Sequence, residues 1–303
     1  MVPPAERPPV PPFVSDLPAV EPMTRWDLDD LVRLWRDPAA AWCRLRLGAA
    51  PRDHKEAIDD DEPLTTGPGL ERFRLLRDLV GHHDAAELLL LRGEADGRLP
   101  LGQLGKASGE RLRALDEQLH AGDAGPAIAP LPVSVAGDGW AVTGVLDPAP
   151  RDGVLRLLYP AKTAHGQVRM VMAIRHLVWN AWQLQQGYAL GAAQIVTLEE
   201  RVDLPPHGTD AVERFANLLD LSQQACDMPY ACPPKISWLM AKRCWDGYAI
   251  DEAVKWARYQ PTWVGNDTVS GEADQPAIRL AWRGRDVFAD PQAMLRIWEL
   301  LTP

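Results

Sequence analysis

Three residues near the middle of the sequence have the types and spacing of a metal-dependent hydrolytic site. Asp147 follows the apolar run 142–146, and Lys162 closely follows a second apolar run, 154–159. If both runs are strands, their ends can hold a divalent ion between carboxylates, and a lysine beside it orients or deprotonates the attacking water. Pro160, two residues before Lys162, offers neither an oxygen side chain nor a backbone N–H. The sequence therefore predicts a degenerate site, in which the proline removes one ligand and ends the strand.

This arrangement resembles the metal-dependent nuclease core called PD-(D/E)xK. That core carries an Asp at the end of one strand and an acid-x-Lys at the end of the next, so Pro160 stands where the second acid belongs. We predict a nuclease scaffold kept for something other than cleavage. On this hypothesis Asp147, Pro160 and Lys162 are the remains of the site, with no catalytic residue, metal or cofactor.

Two other interpretations of these residues stay open. Asp147 is either a relic metal ligand or an acid that caps a turn before Pro148, and Lys162 is either a relic of the site or a solvated surface charge. Acids also migrate in such folds. Four acids are candidates for the lost ligand: Glu110, Glu117, Asp138 and Asp152. The alternative function is therefore a metal-dependent PD-(D/E)xK DNA nuclease with a migrated acidic ligand.

Composition limits the function classes. The chain has 303 residues, of which 46% are hydrophobic, and it is expected to be soluble and globular, with one large domain or two small ones. A net charge of −10 argues against a surface that grips DNA everywhere, so any DNA contact requires a local basic patch or a partner. No apolar run approaches the roughly 20 residues of a membrane span. Four scattered cysteines and a start without an apolar signal core predict a cytoplasmic location.

The first part of the chain is predicted to be a linker followed by helices. Eight prolines among the first 22 residues favour an extended segment, which we assign as a linker over 1–23. Apolar residues then recur at helical spacing from 27 to 48, with Pro38 dividing two helices and Gly48 ending the second. Further helices are expected at 69–80, 84–92 and 101–120. A helical part therefore covers about 24–125.

The second part, about 126–303, is predicted to contain the sheet. Runs at 131–136, 140–146 and 154–159 indicate a three-stranded antiparallel meander. A helix at 167–186 follows, with a broad apolar face and with Arg169, His176, Asn180 and Gln183 on the opposite face. A strand is expected at 191–198, and helices at 209–224, 249–259 and 290–301. The order predicts an α/β (α+β) fold with a PD-(D/E)xK restriction-endonuclease-like core, a mixed sheet flanked by helices, and an additional N-terminal helical region.

Several separated motifs resemble the C-terminal domain of RecC, the gamma subunit of exodeoxyribonuclease V. They are LWRDP at 34–38 followed by Trp42 and RLG at 46–48, DEPL at 61–64, GLERF at 69–73, LPLG at 99–102, and IRLAWRGRD at 278–286, which resembles a late Arg-rich strand. Their order and spacing make the resemblance specific. It runs from about Thr24 to near the C terminus.

The resemblance implies a non-catalytic piece of a RecBCD-type helicase/nuclease that acts in double-strand break repair by homologous recombination. Its implied partners are RecD-like and RecB-like helicase subunits and a duplex DNA end or single-stranded DNA. By itself the chain is not expected to be an enzyme, whereas the parent complex is an ATP-dependent exodeoxyribonuclease. Because the helicase-like domains of the family are missing, we expect a fragment whose Pro-rich start is a former interdomain linker.

Basic residues suggest where DNA or a partner binds. The predicted patch comprises Arg33, Arg36, Arg44, Arg46, Lys242, Arg243, Arg279, Arg283 and Arg285, and Arg52 and Lys235 lie near its members in sequence. Arginine beside tryptophan tracks phosphates and stacks on unpaired bases, but solvated faces over core tryptophans give the same pattern. A pure interaction module is a third possibility, since Trp and Arg are frequent interface anchors.

Other potential ligands have simpler interpretations. No Cys-x-x-Cys pair occurs among the four cysteines, which are Cys43, Cys226, Cys232 and Cys244. We therefore expect them to be buried small hydrophobic residues rather than ligands of a metal or an iron–sulfur cluster. The pair His82-His83 lacks spaced partners and is predicted to lie at the surface. His176 is predicted to be a satisfied structural residue.

Overall fold

The structure is a computed structural model, and it describes residues 17–49, 51, 70–121, 128–266 and 269–303. In these residues two small mixed sheets are flanked by helices. Three predicted features lie outside the described residues: the Pro-rich segment up to residue 16, the motif at 61–64, and the positions Arg52 and Gly69. Of the Pro-rich segment, residues 17–23 are described.

The first two helices are confirmed, with the predicted boundaries. Strand β1 (Arg25–Asp27) is followed by α1 (Leu28–Arg36) and α2 (Pro38–Leu47). The Asp27 side chain accepts hydrogen bonds from the first backbone N–H groups of α1, and Asp37 caps α2 in the same way. Pro38 stands at the start of α2, where its missing N–H costs nothing, and Gly48 ends the helix with a φ of 61°.

The first sheet contains β2 (Leu131–Gly137) and β3 (Trp140–Leu146), paired antiparallel as predicted. The predicted third strand of the meander, β4 (Val154–Leu158), does not join them, so the meander is wrong. Strand β1, which the sequence did not predict, takes the edge of β3 opposite β2 and pairs in parallel with residues 141–143. Helix α1 packs on a face of β3 next to this pairing, since a Cβ on Gly144 would lie 2.4 Å from the Cβ of Leu28.

The second sheet is built around β5 (Ala192–Val196). Strand β4 pairs with it in parallel, and β6 (Arg201–Leu204), another strand missed from the sequence, pairs with it antiparallel. Parallel neighbours require a long crossover, which the predicted helix α6 (Gly166–Gln186) supplies. The single mixed sheet that we predicted is therefore replaced by two.

Helix α6 is buried on nearly all sides, so the predicted polar face does not meet water. Three of its members, His176, Asn180 and Gln183, are buried and form hydrogen bonds with backbone groups of the loops that follow α6. The Gly191 carbonyl accepts from His176 Nε2 at 2.8 Å and from Asn180 Nδ2 at 3.0 Å, while Asn180 Oδ1 accepts from the His207 N–H at 2.8 Å. Buried peptide groups need such partners, which explains polar residues in the core.

The remaining helices complete two hydrophobic cores. They are α3 (Leu70–Gly81), α4 (Ala86–Ala95), α5 (Gln103–His120), α7 (Ala211–Asp227), α8 (Pro234–Trp245), α9 (Ile250–Ala257), α10 (Pro261–Val264), α11 (Pro276–Ala281) and α12 (Pro291–Leu301). The main core joins α1, α2 and α6 to α7, α8 and α12. A second core of leucines joins α3, α4 and α5 and reaches the second sheet at Val196.

The late Arg-rich segment is not a strand. It forms α11 and the turn after it, because Pro276 starts a helix and Ala277, Ile278 and Ala281 recur at helical spacing on a buried face. Arg279, Arg283 and Arg285 are exposed on this helix and turn.

Candidate functional site

A cleft of about 990 Å³ lies between the helices of the leucine core and the segments around β3 and β4. One wall comes from α3, α5 and the short 3-10 helix His83–Ala85, and the other from the ends of β3 and β4. Its polar lining residues are Arg77, His82, His83, Glu117, His120, Asp147, Arg151 and Arg156. Acidic, basic and imidazole groups therefore line one cavity, with the predicted Asp147 among them.

Asp147 is exposed at the end of β3, and its backbone is held from α6. Arg175 Nη1 donates to the Asp147 carbonyl oxygen at 2.9 Å, and Arg175 Nη2 lies 3.7 Å from Asp29 Oδ1. The guanidinium thus ties the end of β3 to the start of α1. Of the four acids considered as migrated ligands, Glu117 lines the same cleft as Asp147.

Pro160 and Lys162 do not line this cleft. Strand β4 ends at Leu158, as the proline predicts, and Pro160 itself is buried. The chain then runs beside the residues after β5, where Leu198 N donates to Ala161 O at 2.9 Å. Lys162 Nζ lies 2.8 Å from Glu199 Oε1 on the surface. The structure therefore gives Lys162 a different partner and does not pair it with Asp147.

Three residues that were not predicted to interact meet at the cleft wall. His83 Nδ1 lies 2.5 Å from Asp116 Oδ2, and His120 Nδ1 lies 3.2 Å from Asp116 Oδ1. The two imidazole rings are 4.4 Å apart between centroids and tilted by 35°. Asp116 and His120 are four residues apart on α5, a spacing that places both on one helix face, and this was the signal in the sequence. His83, 33 residues before Asp116, carried no such signal.

The first group of predicted basic residues makes mostly local contacts. Arg33 pairs with Asp30 on the surface of α1, and Arg44 Nε donates to the Ala40 carbonyl of its own helix. Arg46 is almost fully buried, and its guanidinium donates to Pro18 O and lies 3.9 Å from Asp227 Oδ1. Arg46 thus holds the described end of the Pro-rich segment against α7 and is unavailable to DNA.

Arg36 belongs to a separate polar group at the start of α8. Burial lowers the pKa of the nearby His165 to about 4, and the positive charges of Lys235 and Arg36 contribute to this shift. Tyr159 Oη lies 2.9 Å from His165 Nε2. The imidazole is therefore neutral near pH 7, so Arg36 and Lys235 carry the positive charge of this group.

The second basic group lies beside exposed aromatic rings at the end of α8. The Arg243 guanidinium lies 3.8 Å from the ring centroid of Tyr248 and 4.9 Å from that of Trp256. Trp245, Tyr248 and Tyr259 are exposed nearby in the sequence, as is Lys242. We call Lys242, Arg243, Trp245, Tyr248 and Tyr259 the aromatic-basic surface.

Three of the four cysteines are buried, as predicted, and Cys244 is half-buried. Burial raises the pKa of Cys43 and Cys226 to about 11 and that of Cys232 to about 12. These thiols stay protonated near pH 7 and are poor nucleophiles and metal ligands.

The described residues form a mixed α/β domain with a cleft lined by acidic, basic and imidazole groups, and none of their helices is both long and apolar enough to cross a bilayer. The chain belongs to the RecC C-terminal domain family, whose model matches residues 23–245. The resemblance found in the sequence motifs is therefore confirmed over these residues, whereas the motif at 278–286 lies outside the match. A comparison with curated proteins found no match.

Proposed function

We propose that this chain is a non-catalytic, nuclease-like module of a RecC-type subunit, which holds helicase partners and guides a DNA end in a RecBCD-type complex. Family membership over residues 23–245 supports the RecBCD context. The chain order β2-β3-β4-α6-β5, with Asp147 after β3 and Lys162 after β4, supports descent from a PD-(D/E)xK nuclease.

One observation carries the non-catalytic part of this proposal. Asp147 lines the cleft, but Pro160 occupies the position of the second acid and Lys162 is paired with Glu199. A hard divalent cation needs several oxygen ligands, and a nuclease uses them to hold the ion against the phosphate. Of the two acids in the motif only Asp147 is left, so the motif by itself does not meet that need.

Partner binding is proposed for the outer face of the leucine core. Four leucines on α4 and around the start of α5 are strongly exposed, namely Leu88 (71%), Leu91 (62%), Leu101 (78%) and Leu104 (73%). Exposed apolar side chains on two packed helices are typical of an interface. We call these four residues the leucine surface and propose that a RecD-like helicase covers it.

Co-purification with RecB-like and RecD-like subunits tests this surface. The double variant Leu88→Asp/Leu91→Asp is expected to lose the RecD-like subunit while circular dichroism remains unchanged. Leu45→Asp is the matched control, because Leu45 is an exposed leucine (53%) on another helix, α2. Retention of the RecD-like subunit by the double variant, or its equal loss in the control, would overturn this assignment.

Single-stranded DNA is proposed to bind the aromatic-basic surface. Exposed rings stack on unpaired bases, and the neighbouring cations contact phosphates. Binding of forked DNA should weaken as salt rises, and Tyr248→Ala and Lys242→Gln should each reduce it. Arg33→Gln is the charge-matched control, since Arg33 is already paired with Asp30. A flat salt response, or equal losses in all three variants, would argue against this surface.

The nuclease alternative has one supporting observation, which is that Glu117 and Asp147 line the same cleft. Incubation of linear DNA with Mg²⁺ or Mn²⁺ decides between the two functions. We expect no cleavage. Digestion that disappears in both Asp147→Ala and Glu117→Gln would establish the nuclease and remove the non-catalytic proposal.

A further inference from the structure

We propose that His83, Asp116 and His120 form a binding site for a transition-metal ion of the zinc type, open to the cleft. This inference does not depend on the proposed function, because it concerns side chains that the nuclease motif does not include. It rests on the geometry of the three side chains, the burial of Asp116 and the position of the cleft.

The geometry brings three potential ligands together. One ligand atom from each side chain, either an imidazole nitrogen or a carboxylate oxygen, lies within 4.8 Å of the other two. Ligands of a tetrahedral Zn²⁺ lie about 2.0–2.2 Å from the metal, so neighbouring ligand atoms are separated by little more than 3 Å. Small side-chain movements are sufficient to close such a shell. α5 fixes two of the ligands at i and i+4, and the 3-10 helix after α3 supplies the third.

The burial of Asp116 favours a cation bound at its side chain. Its side chain is only 2% exposed, and its Oδ1 atom has no hydrogen-bond donor. His120 Nδ1 lies 3.2 Å away, but it bonds to the Asp116 main-chain oxygen at 3.0 Å and has only one hydrogen to donate. A buried carboxylate oxygen without a donor costs free energy unless a cation or a proton compensates it.

The types of the three ligands indicate which class of metal ion fits the site. Two imidazoles and one carboxylate are ligands that suit Zn²⁺ and its neighbours, whereas Mg²⁺ and Ca²⁺ prefer oxygen donors alone. Three protein ligands leave a fourth position of a tetrahedral ion for water or another ligand. His83 and His120 both line the cleft, so that position is expected to face it.

The rest of the cleft indicates what that fourth ligand is. Arg77, Arg151 and Arg156 line the same cavity. A metal-bound oxyanion there, such as a phosphate group, would share the cavity with these guanidinium groups, whose shape and charge match phosphate. We infer that the occupied site binds an oxyanion of the phosphate class.

Equilibrium dialysis of the full chain against Zn²⁺, followed by metal analysis, tests the site. We expect one tightly held ion in the wild type and a loss of affinity of about tenfold or more in His83→Gln and in His120→Gln. His82→Gln is the matched control, because His82 is the adjacent exposed histidine and lines the cleft without belonging to the cluster. Circular dichroism of each variant checks folding.

Co²⁺ provides an independent readout, since its visible absorption reports tetrahedral coordination by nitrogen and oxygen ligands. Inorganic phosphate added to the Co²⁺ form should shift this spectrum if the open position takes an oxyanion. The proposal fails if the folded wild type binds no Zn²⁺, or if the ion is held equally by the two cluster variants and the control. It is distinguishable from the proposed function, because co-purification with helicase subunits does not depend on the metal result.

Discussion

The ammonium group of Lys162 lies 2.8 Å from Glu199 Oε1, and both side chains are more than half exposed. A lysine that activates water in a nuclease sits instead beside the metal-binding carboxylates. The ion pair links the segment after β4 to the turn after β5, a structural contact on the protein surface.

Replacing Lys162 by Met is expected to have a small effect on stability. Exposed ion pairs typically contribute about 0–1 kcal/mol, because water and salt screen them. The free energy of unfolding in urea should therefore fall by less than about 1 kcal/mol, with the same result for Glu199→Gln. A loss of several kcal/mol would show that this pair has a larger structural role than its exposure indicates.

Glu272 caps α8 from a distant part of the chain. Its carboxyl group is buried, and the two oxygens accept hydrogen bonds from the backbone N–H groups of Lys235 (3.0 Å) and Ile236 (2.8 Å). Glu272→Ala leaves both donors without a partner, so we expect a loss of about 2–4 kcal/mol in chemical denaturation at pH 5. Asp274→Ala serves as the control and should change stability little, because Asp274 lies two residues after Glu272 in the same 3-10 helix and is exposed.

The same residue makes stability depend on pH. Burial raises the pKa of Glu272 from 4.5 to about 7, despite the two backbone hydrogen bonds. The folded state therefore holds this proton more tightly than the unfolded state does. The resulting stabilisation of the folded state is complete below about pH 4.5 and is lost as the pH rises through about 7, and its size is on the order of 3 kcal/mol. Glu272→Gln does not ionise. The stability of the wild type relative to this variant should thus decrease between pH 4.5 and 7, and a constant difference would contradict the assignment.

His207 should produce the opposite pH dependence. Burial lowers its pKa from 6.5 to about 3, helped by the nearby His176, and neither ring nitrogen has a hydrogen-bond partner. Below about pH 6.5 the histidine is protonated in the unfolded chain but stays neutral in the folded chain. Its contribution to the stability of the folded state is therefore complete above pH 6.5 and is lost as the pH falls towards 3. His207→Leu should flatten the acid side of the stability profile. An unchanged acid limb in the variant would count against this assignment.

Gly166 is required where α6 meets α8. A Cβ at this position would lie 1.9 Å from the Pro234 carbonyl oxygen, and a backbone atom cannot move aside easily. Gly166→Ala is therefore expected to destabilise the protein by about 2 kcal/mol or more. Gly81→Ala is the control, because no atom lies within 4 Å of its added Cβ, and it should be neutral or stabilising by up to about 1 kcal/mol. Thermal unfolding of the two variants measures the difference.

Local signals were enough to predict elements whose boundaries depend on neighbouring residues. Pro38 and Gly48 bounded α2, Pro160 marked the end of β4, and apolar periodicity located α6, because capping, proline geometry and amphipathic spacing act within a few residues. The RecC family was also recognisable from the order of short motifs.

Tertiary structure decided the pairings over long distances. The three-residue strand β1 carries too little sequence signal to be predicted, yet it takes the edge of β3 opposite β2, and β4 pairs instead with β5 in a second sheet. Packing between separate elements also determines the partners of His83 and Lys162. Packing of the 3-10 helix against α5 brings His83 to Asp116, and the turn after β5 brings Glu199 to Lys162. Sequence spacing determines which residues share one helix or strand, whereas only the packing of separate elements determines which side chains meet across them.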